Sequence, residues 1–583
     1  MPASVQFNLA DLFELVADTV PDHEAVVSGA RRLTYRQLDE RANRVAHHLS
    51  GLGVGSGDHV AVLLANAAEY LEVMLAAFKI RAVPVNVNPR YVAGELAYLL
   101  ADADAVAAVF DARLAAPLAL ASREVPTLRA LVTVDGPRAG AGAARQGADP
   151  DGRFPAGRVD RYEDALAASS PERDFPERRA DDVYVLYTGG TTGAPKGVIW
   201  THEDIFFAAM GGGGFGEPVV HPEDLRDRCR DGRMRCLPAC PLSHGTAQWA
   251  AFATLFAGGS VVIPASGRFD PVETWETVLA EGVNYLVIVG DAFAVPLLDA
   301  LDAPATAGPF GGVPTIGGRA LDGPAVLLSG GAILSAPVKR ELAERLPHTL
   351  VVDGYGSSES GGQGQAVTSR GAPVPEVPRF TIDRSTAVLG PDLRPVPVGT
   401  VGKIARRGRV PLGYHKDPER SRATFPVVDG ERWAVPGDDA IVEADGLVTL
   451  LGRGSTSINT GGEKVYPEEV ESVLKGHPAV SDAVVVGVPD RRWGEVVVAV
   501  VTAQGSSPAG AAGPDARVDE SVRAHVRGRL AGFKVPRRLV WVDRAPRDAN
   551  GKPDHARARE LAAAGGPDAG PGTSTAAPAA PRR

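Results

Sequence analysis

"HVAVLLANAAEYLEVMLAAFKIRAVPVNVN", residues 59–88, is an apolar run, a helix-periodic stretch and a second apolar run, in that order. Neither run alternates apolar with polar residues, so each reads as a strand covered on both faces. Two such strands joined through a helix make a βαβ unit of a parallel sheet. The same alternation returns in "GSVVIPASGRFDPVETWETVLAEGVNYLVIVGDAF" (259–293) and "AVLLSGGAILSAPVKRELAERLPHTLVVDGYGSSE" (325–359). Upstream, "NLADLFELVADTV" and "DERANRVAHHLSGLG" read as amphipathic helices flanking a hairpin-like "AVVSGARRLTYRQL". The expected class is α/β: a large N-terminal domain of βαβ-built, mostly parallel sheets flanked by helices.

After about residue 452 the character changes. A turn-rich link, a helix with acidic residues in its first turn, the apolar "EVVVAVVTA" and a helix ending in "RGRLAGFKVPRRLVWVD" describe a small α+β unit. The glycines of "LLGRGS" act as its hinge. The reading is an N-terminal domain over 1–452, a mobile C-terminal domain over 453–563 and a solvated tail over 564–583. Within the first, "DGPRAGAGAARQGADPDGRFPAGR" (135–158) lacks periodicity and reads as a surface insertion. Two lobes on a short hinge suggest an active site between them.

At 583 residues, 44% hydrophobic and 23% charged, the chain is long enough for several packed cores. With 61 basic against 71 acidic residues the net charge is −10, which argues against a nucleic-acid footprint or a polybasic membrane surface. The start, "MPASVQFNLADLFELV", has no basic region followed by an apolar stretch, and no apolar run is long enough to span a bilayer. A cytoplasmic protein is expected, free of stable membrane insertion, with room for a homodimer. Cys229, Cys236 and Cys240, with His244, give a C-x3-C-x3-H spacing, but it fits no common zinc module and shows no fourth ligand. Reduced, structural cysteines are the expectation.

"VLYTGGTTGAPKGVIW" (185–200) packs four glycines, four hydroxyl side chains and one lysine between apolar runs. Such a turn lets backbone N–H groups converge on an anion while threonines and a lysine add donors and charge, so phosphate is the natural ligand. The Walker spacing is absent: Pro195 and Gly197 flank Lys196, and no helix former follows at once.

This loop resembles the phosphate-binding signature of the adenylate-forming superfamily of acyl-CoA synthetases, peptide adenylation domains and luciferases. The resemblance runs from roughly residue 8 to residue 560 over several ordered motifs. It implies nucleotide contacts from Thr188, Gly189, Gly190, Thr191, Thr192, Gly193 and Lys196. "DGYGSSES" (353–360) and its surroundings imply more from Gly330, Asp353, Gly354, Tyr355, Gly356, Ser357 and Ser358. There Tyr355 is suited to stack on a purine, and Glu359 is a hard oxygen ligand for Mg2+, with Thr188 a second metal-side candidate. The family usually has threonine before that glutamate; Ser358 keeps the hydroxyl. In "WAVPGDDA" Asp438 matches the family's ribose ligand, and Arg453 matches a nucleotide-contacting arginine. Two positions later many relatives carry aspartate or lysine where this chain has Ser455. Lys552, after Asn550-Gly551, matches the lysine that serves acyl-adenylation.

The resemblance also implies that "LPACPLSHGTAQWAAFATLFAGG", "NYLVIVGDAFAVPLL" and "LLSGGAILS" wall the acid pocket, with His244, Trp249, Val289, Phe293 and the turn 329–332 as contacts. His244 either orients the carboxylate, gates the acceptor tunnel or is a structural histidine. Asp291 is either an anchor for the acid or part of a strand-ending turn. "WTHEDIFFAAMGGG" and "INTGGEKVYPEEVE" look most like actinobacterial ligases for fatty and steroid side-chain acids, favouring a bulky apolar acid. The implied reaction uses ATP, Mg2+ and CoA: adenylation, then thioester formation after the small lobe rotates. An adenylating enzyme with another acceptor, such as a carrier-protein thiol, an amine or another small nucleophile, is the alternative. A silent nucleotide-binding protein is disfavoured by retention of Glu359, Asp438, Arg453 and Lys552. The chain has no complete G-x-S-x-G elbow and no H-E-x-x-H pair, which leaves serine and zinc hydrolysis without a carrier.

Overall fold

The computed structural model describes residues 6–135, 154, 159–190, 193–212, 219–301, 315–316, 319–320, 323–453, 458–460, 463–490, 494–504, 516–530, 532–548 and 551–564. The inferred insertion, apart from Asp135 and Phe154, and the tail beyond Ala564 lie outside them, as do Thr191, Thr192 and Ser455. Two compact units divide at Leu450/Leu451.

In the first unit the opening stretch forms the unit read from it. Strand His59–Leu63, helix Ala68–Lys79 and strand Val83–Asn86 follow in order, and the strands pair in parallel from His59↔Val83 to Val62↔Asn86. They sit in an eight-stranded sheet that is parallel until Val183–Gly190 turns back antiparallel into Gly193–Thr201. A fifteen-stranded sheet holds the later units. It is parallel through Ser260–Ile263, Arg235–Pro238, Tyr285–Ile288, Val326–Gly330 and Leu350–Ser357. From Gly361–Thr368 onward every recorded pairing in it is antiparallel. The expectation of a mostly parallel sheet therefore holds for only half of this one. Parallel strands need a crossover of a dozen or more residues, and beyond Gly361 the strands follow one another mostly through short turns, with one seven-residue helix at Pro418–Thr424.

Helix Leu9–Thr19 buries Leu9, Leu12, Phe13 and Val16, with Asn8 capping it through a bond accepted from the Ala10 N–H. Beside it Lys79, with no exposed surface, donates to Glu14 and, at 2.7 Å, to Asp39. Arg178 closes on Glu14 at 2.5 Å and Arg173 on Asp39 at 2.8 Å. Burial pushes the Glu14 carboxyl up, but Lys79 and Arg178 together pull it from 4.5 down to about 2. A carboxyl depressed in the fold contributes stability fully present above its unfolded value and lost as pH falls from about 4.5 through 2. Lys79→Met should therefore cost about 3–5 kcal/mol. It should also move the acid-unfolding midpoint to higher pH, read by circular dichroism; an unmoved midpoint would show that the arginines suffice.

The second unit is a five-stranded sheet built on the hairpin Val480–Asp490 and Gly494–Ala503, with Arg538–Trp541 parallel to the latter. Helices Pro467–Lys475, Ala516–Arg527 and His555–Ala564 complete it. Glu468 and Glu469 stand in the first turn of the first helix, where negative charge meets the positive end of the helix dipole.

Candidate active site

The two glycine-rich motifs occupy equivalent places. Each lies at the carboxyl end of the last parallel strand of its sheet, where the chain stops crossing over through a helix and doubles back as a hairpin. Carboxyl ends of parallel strands at a change in strand order are where α/β sheets bind ligands.

In the first hairpin Tyr187 faces Gly197 and Thr188 faces Lys196, with an irregular step before Gly190↔Gly193. Gly197 has no room for a side chain: a Cβ would stand 2.8 Å from the Tyr187 ring. The Tyr187 hydroxyl donates to Asp102 at 2.8 Å, while Asn86 accepts from the Tyr187 N–H and donates to its carbonyl. Strand end and ring are thereby held from both sides, which fixes the root of the glycine turn.

In the second, the Ser357 Oγ lies 3.0 Å from Ser360 Oγ and accepts from the Glu359 N–H. Gly356 is obligatory, since a Cβ there would meet the Gly361 carbonyl at 2.2 Å. Buried Arg406 donates to the carbonyls of Ala208, Ser360 and Gly362, gripping this turn from below. Trp200, from the first hairpin's outgoing strand, donates to the Ser358 carbonyl at 3.0 Å.

A third element joins the two. The short strand Gly413–Tyr414 pairs antiparallel with Val198 and Ile199 and brings a phenol between the motifs. The Tyr414 hydroxyl donates to Glu359 Oε1 at 2.9 Å and accepts from Lys196 Nζ at 3.0 Å; the ammonium also lies 4.1 Å from the ring centroid. Lys196 Nζ is 3.3 Å from Glu359 Oε1. Burial and the Glu359 charge raise the Tyr414 phenol well above its usual range, so it stays protonated and able to donate. Tyr414, Arg406, Asn86 and Trp200 were not among the residues read from sequence.

Tyr355 and Asp438, assigned to base and ribose, meet directly: the Tyr355 hydroxyl donates to Asp438 Oδ2 at 2.7 Å. Asp353 is held from behind its strand. Its buried carboxylate is committed to Lys339 at 2.5 Å, and burial raises it while Lys339 opposes. That pair anchors the strand carrying Gly354, Tyr355 and Gly356. Gly330 pairs with Gly354, and Thr246 is the side chain nearest it.

The three inferred pocket segments come together. The Gly290 N–H donates to Ser329 Oγ, and a Cβ on Gly290 would lie 3.0 Å from Ala332. Val289 is buried, and Phe293 and Trp249 pack against the core as partly buried side chains. His244 is the N-terminal cap residue of helix Gly245–Phe256, partly buried beside the Ser243 carbonyl that Asn86 holds. Asp291 opens a helix and accepts from the Ser335 N–H at 2.8 Å, as a residue of a strand-ending turn would.

Arg453 ends a strand, but its side chain lies outside the described residues. In the second unit Lys552 follows Gly551, whose φ of +79° favours glycine, and its N–H and carbonyl both bond to Asp548. All three cysteines are buried without disulfides, burial pushing Cys236 and Cys240 up to about 12, so they are unreactive thiols. Among the described residues no cluster of three or more His, Cys, Asp or Glu could hold a metal ion, and no helix is long and apolar enough to cross a membrane. The single carboxylate Glu359 beside hydroxyls does suit Mg2+, which takes few protein ligands and arrives with substrate phosphates.

Comparison with known proteins agrees. The profile described as AMP-binding enzyme matches residues 13–415, and that of the AMP-binding enzyme C-terminal domain matches 469–552. The chain is 44% identical over 561 residues to a medium/long-chain-fatty-acid–CoA/3-oxocholest-4-en-26-oate–CoA ligase of Mycolicibacterium smegmatis, covering 95% of this chain and 96% of the relative. It is 43% identical over 560 residues to a 3-oxocholest-4-en-26-oate–CoA ligase of Rhodococcus rhodochrous, covering 95% of each. In fold it matches the crystal structure of the anthranilate CoA ligase AuaEII with anthranoyl-AMP, at TM-score 0.79 and 22% identity over 97% of this chain and 99% of that one. The resemblance to actinobacterial fatty-acid and steroid-acid ligases is borne out.

Proposed function

The chain belongs to the AMP-binding enzyme family, and from that premise we propose that it is an AMP-forming acyl-CoA ligase for bulky apolar carboxylic acids, steroid side-chain or medium- to long-chain fatty acids. The observation that carries this reading is the Lys196–Tyr414–Glu359 cluster joining two glycine hairpins at adjacent sheet termini, with Tyr355 and Asp438 beside it.

A carboxylate oxygen bonds to the α-phosphorus of ATP as the bond to the pyrophosphate oxygen breaks, leaving acyl-adenylate. The CoA sulfur then bonds to the acyl carbon, its proton leaves to solvent or a base, and AMP departs. The first hairpin's amides, Thr188 and Lys196 take the triphosphate; Tyr355 and Asp438 take the nucleoside. His244 and the turn 329–332 face the acid. Glu359, with Thr188, would hold Mg2+, which neutralises phosphate charge when bound. Lys552 would lower the repulsion between carboxylate and α-phosphate by its charge in the adenylation step. The domain extents and the hinge at 450–455 belong to the same proposal.

The purified protein, given ATP, Mg2+ and CoA, should convert dodecanoate and 3-oxocholest-4-en-26-oate to thioesters detectable by mass spectrometry, ahead of small aromatic acids. Adenylates that form without any thioester would reassign the acceptor.

A further inference from the structure

The peptide plane that joins Gly551 to Lys552 is tied at both ends by side chains. Its carbonyl, on Gly551, accepts from Arg547 Nη1 at 3.0 Å. Its N–H, on Lys552, donates to Asp548 Oδ1 at 2.9 Å. Because the C=O and N–H of a trans peptide point oppositely, fixing both sets the plane, and the Lys552 carbonyl, held by the Asp548 N–H, restrains rotation beyond it, so the direction in which the Lys552 side chain leaves the backbone is set.

The Arg547 end is in turn moored to the sheet. Nε and Nη2 make a bidentate pair with the two Asp482 oxygens, each at 2.6 Å, and Asp482 stands on the long strand Val480–Asp490 opposite Thr502. The arginine backbone also bridges antiparallel to Pro553 across the turn, and the Asp548 N–H donates to the Lys552 carbonyl at 2.8 Å. One planar fork thus reaches a strand carboxylate and a turn carbonyl simultaneously. A lysine ammonium, a point donor on a flexible stem, lacks that two-sided geometry. The Asp482 charge balances the guanidinium, so the brace leaves little net positive field beside Lys552.

We infer that Arg547, moored by Asp482, is the positioning residue for Lys552, an inference that rests on reading Lys552 as the lysine of acid activation. Arg547 touches no substrate; it acts through the orientation of one peptide. Its loss should affect the half-reaction that uses Lys552 and spare the one that does not.

The test measures two half-reactions in the full-length protein: dodecanoate-dependent ATP–pyrophosphate exchange, and thioester formation from synthetic dodecanoyl-adenylate and CoA. Arg547→Ala should lower the exchange kcat by about 10²-fold, the scale of an ångström's misplacement, with little change in KM for ATP. Thioester formation from the adenylate should remain at the wild-type rate. Arg547→Lys, which keeps the charge and is less exposed to misfolding, should show the same selective loss to a smaller extent. Equal loss in both half-reactions, or loss in neither, overturns the inference. Exchange that survives Lys552→Ala would instead overturn the reading of Lys552, and the role of Arg547 would fall with it.

Discussion

Lys552→Ala should lower acid-dependent ATP–pyrophosphate exchange by about 10²–10³-fold while the protein keeps its melting temperature. The magnitude follows from the charges. Bringing a carboxylate to the α-phosphate sets two anions about 4 Å apart, a repulsion of about 4 kcal/mol at an effective dielectric of 20. Removing one preorganised donor at such a point costs about 2.7–4 kcal/mol. The fold should be spared because the bonds that shape the turn come from the Lys552 backbone, which alanine retains: N–H to Asp548 Oδ1 and carbonyl from the Asp548 N–H. Lys552→Arg should recover part of the rate, since the charge survives but a broad guanidinium replaces a compact ammonium. Unchanged exchange in the alanine variant would remove Lys552 from the mechanism.

What was legible in the sequence was local. Continuous apolar runs bounded by helical periodicity declare buried parallel strands, and the unit at 59–88 forms as read because strand, helix and strand are contiguous. Glycine density at 189–197 and 354–356 marked both hairpins, and close approaches at Gly197 and Gly356 explain why only glycine serves there. The residues that assemble the site across distance were not legible. Tyr414 lies 218 positions from Lys196 and is embedded in "PLGYHKD", which reads as an ordinary turn until a strand pairing carries it to the first hairpin. Arg406, in "KIARRGR", has the look of a solvated surface charge; it is buried because three backbone carbonyls surround it. Nor does the sequence show that the carboxylates of Asp353 and Asp291, which stand within motifs, bond to Lys339 and to the Ser335 N–H. A motif names the residues near a ligand without telling which of them point at it.

Glu359→Gln should reduce exchange by about 10²-fold or more and raise the Mg2+ concentration needed for half-maximal rate. The substitution conserves shape, and the Tyr414 hydroxyl, 2.9 Å from Oε1, can donate to an amide oxygen as it does to the carboxylate. What disappears is negative charge in a pocket where Glu359 is only 7% exposed. Two consequences pull in opposite directions. Lys196, 3.3 Å from that carboxylate, loses an ionic partner and becomes a better donor to phosphate, so binding of metal-free ATP should hold or tighten. A neutral amide is a poor ligand for a hard divalent cation, so the rate that depends on metal-neutralised phosphate should fall, by the several kcal/mol such neutralisation is worth. The second effect should dominate turnover because it acts on charge that develops in the reaction, whereas the first strengthens the ground state. Titrating MgCl2 at fixed ATP separates them. A Glu359→Gln enzyme with wild-type rate and Mg2+ dependence would mean that the carboxylate serves only to hold Lys196 and Tyr414, and that the metal-side ligand of this site lies elsewhere.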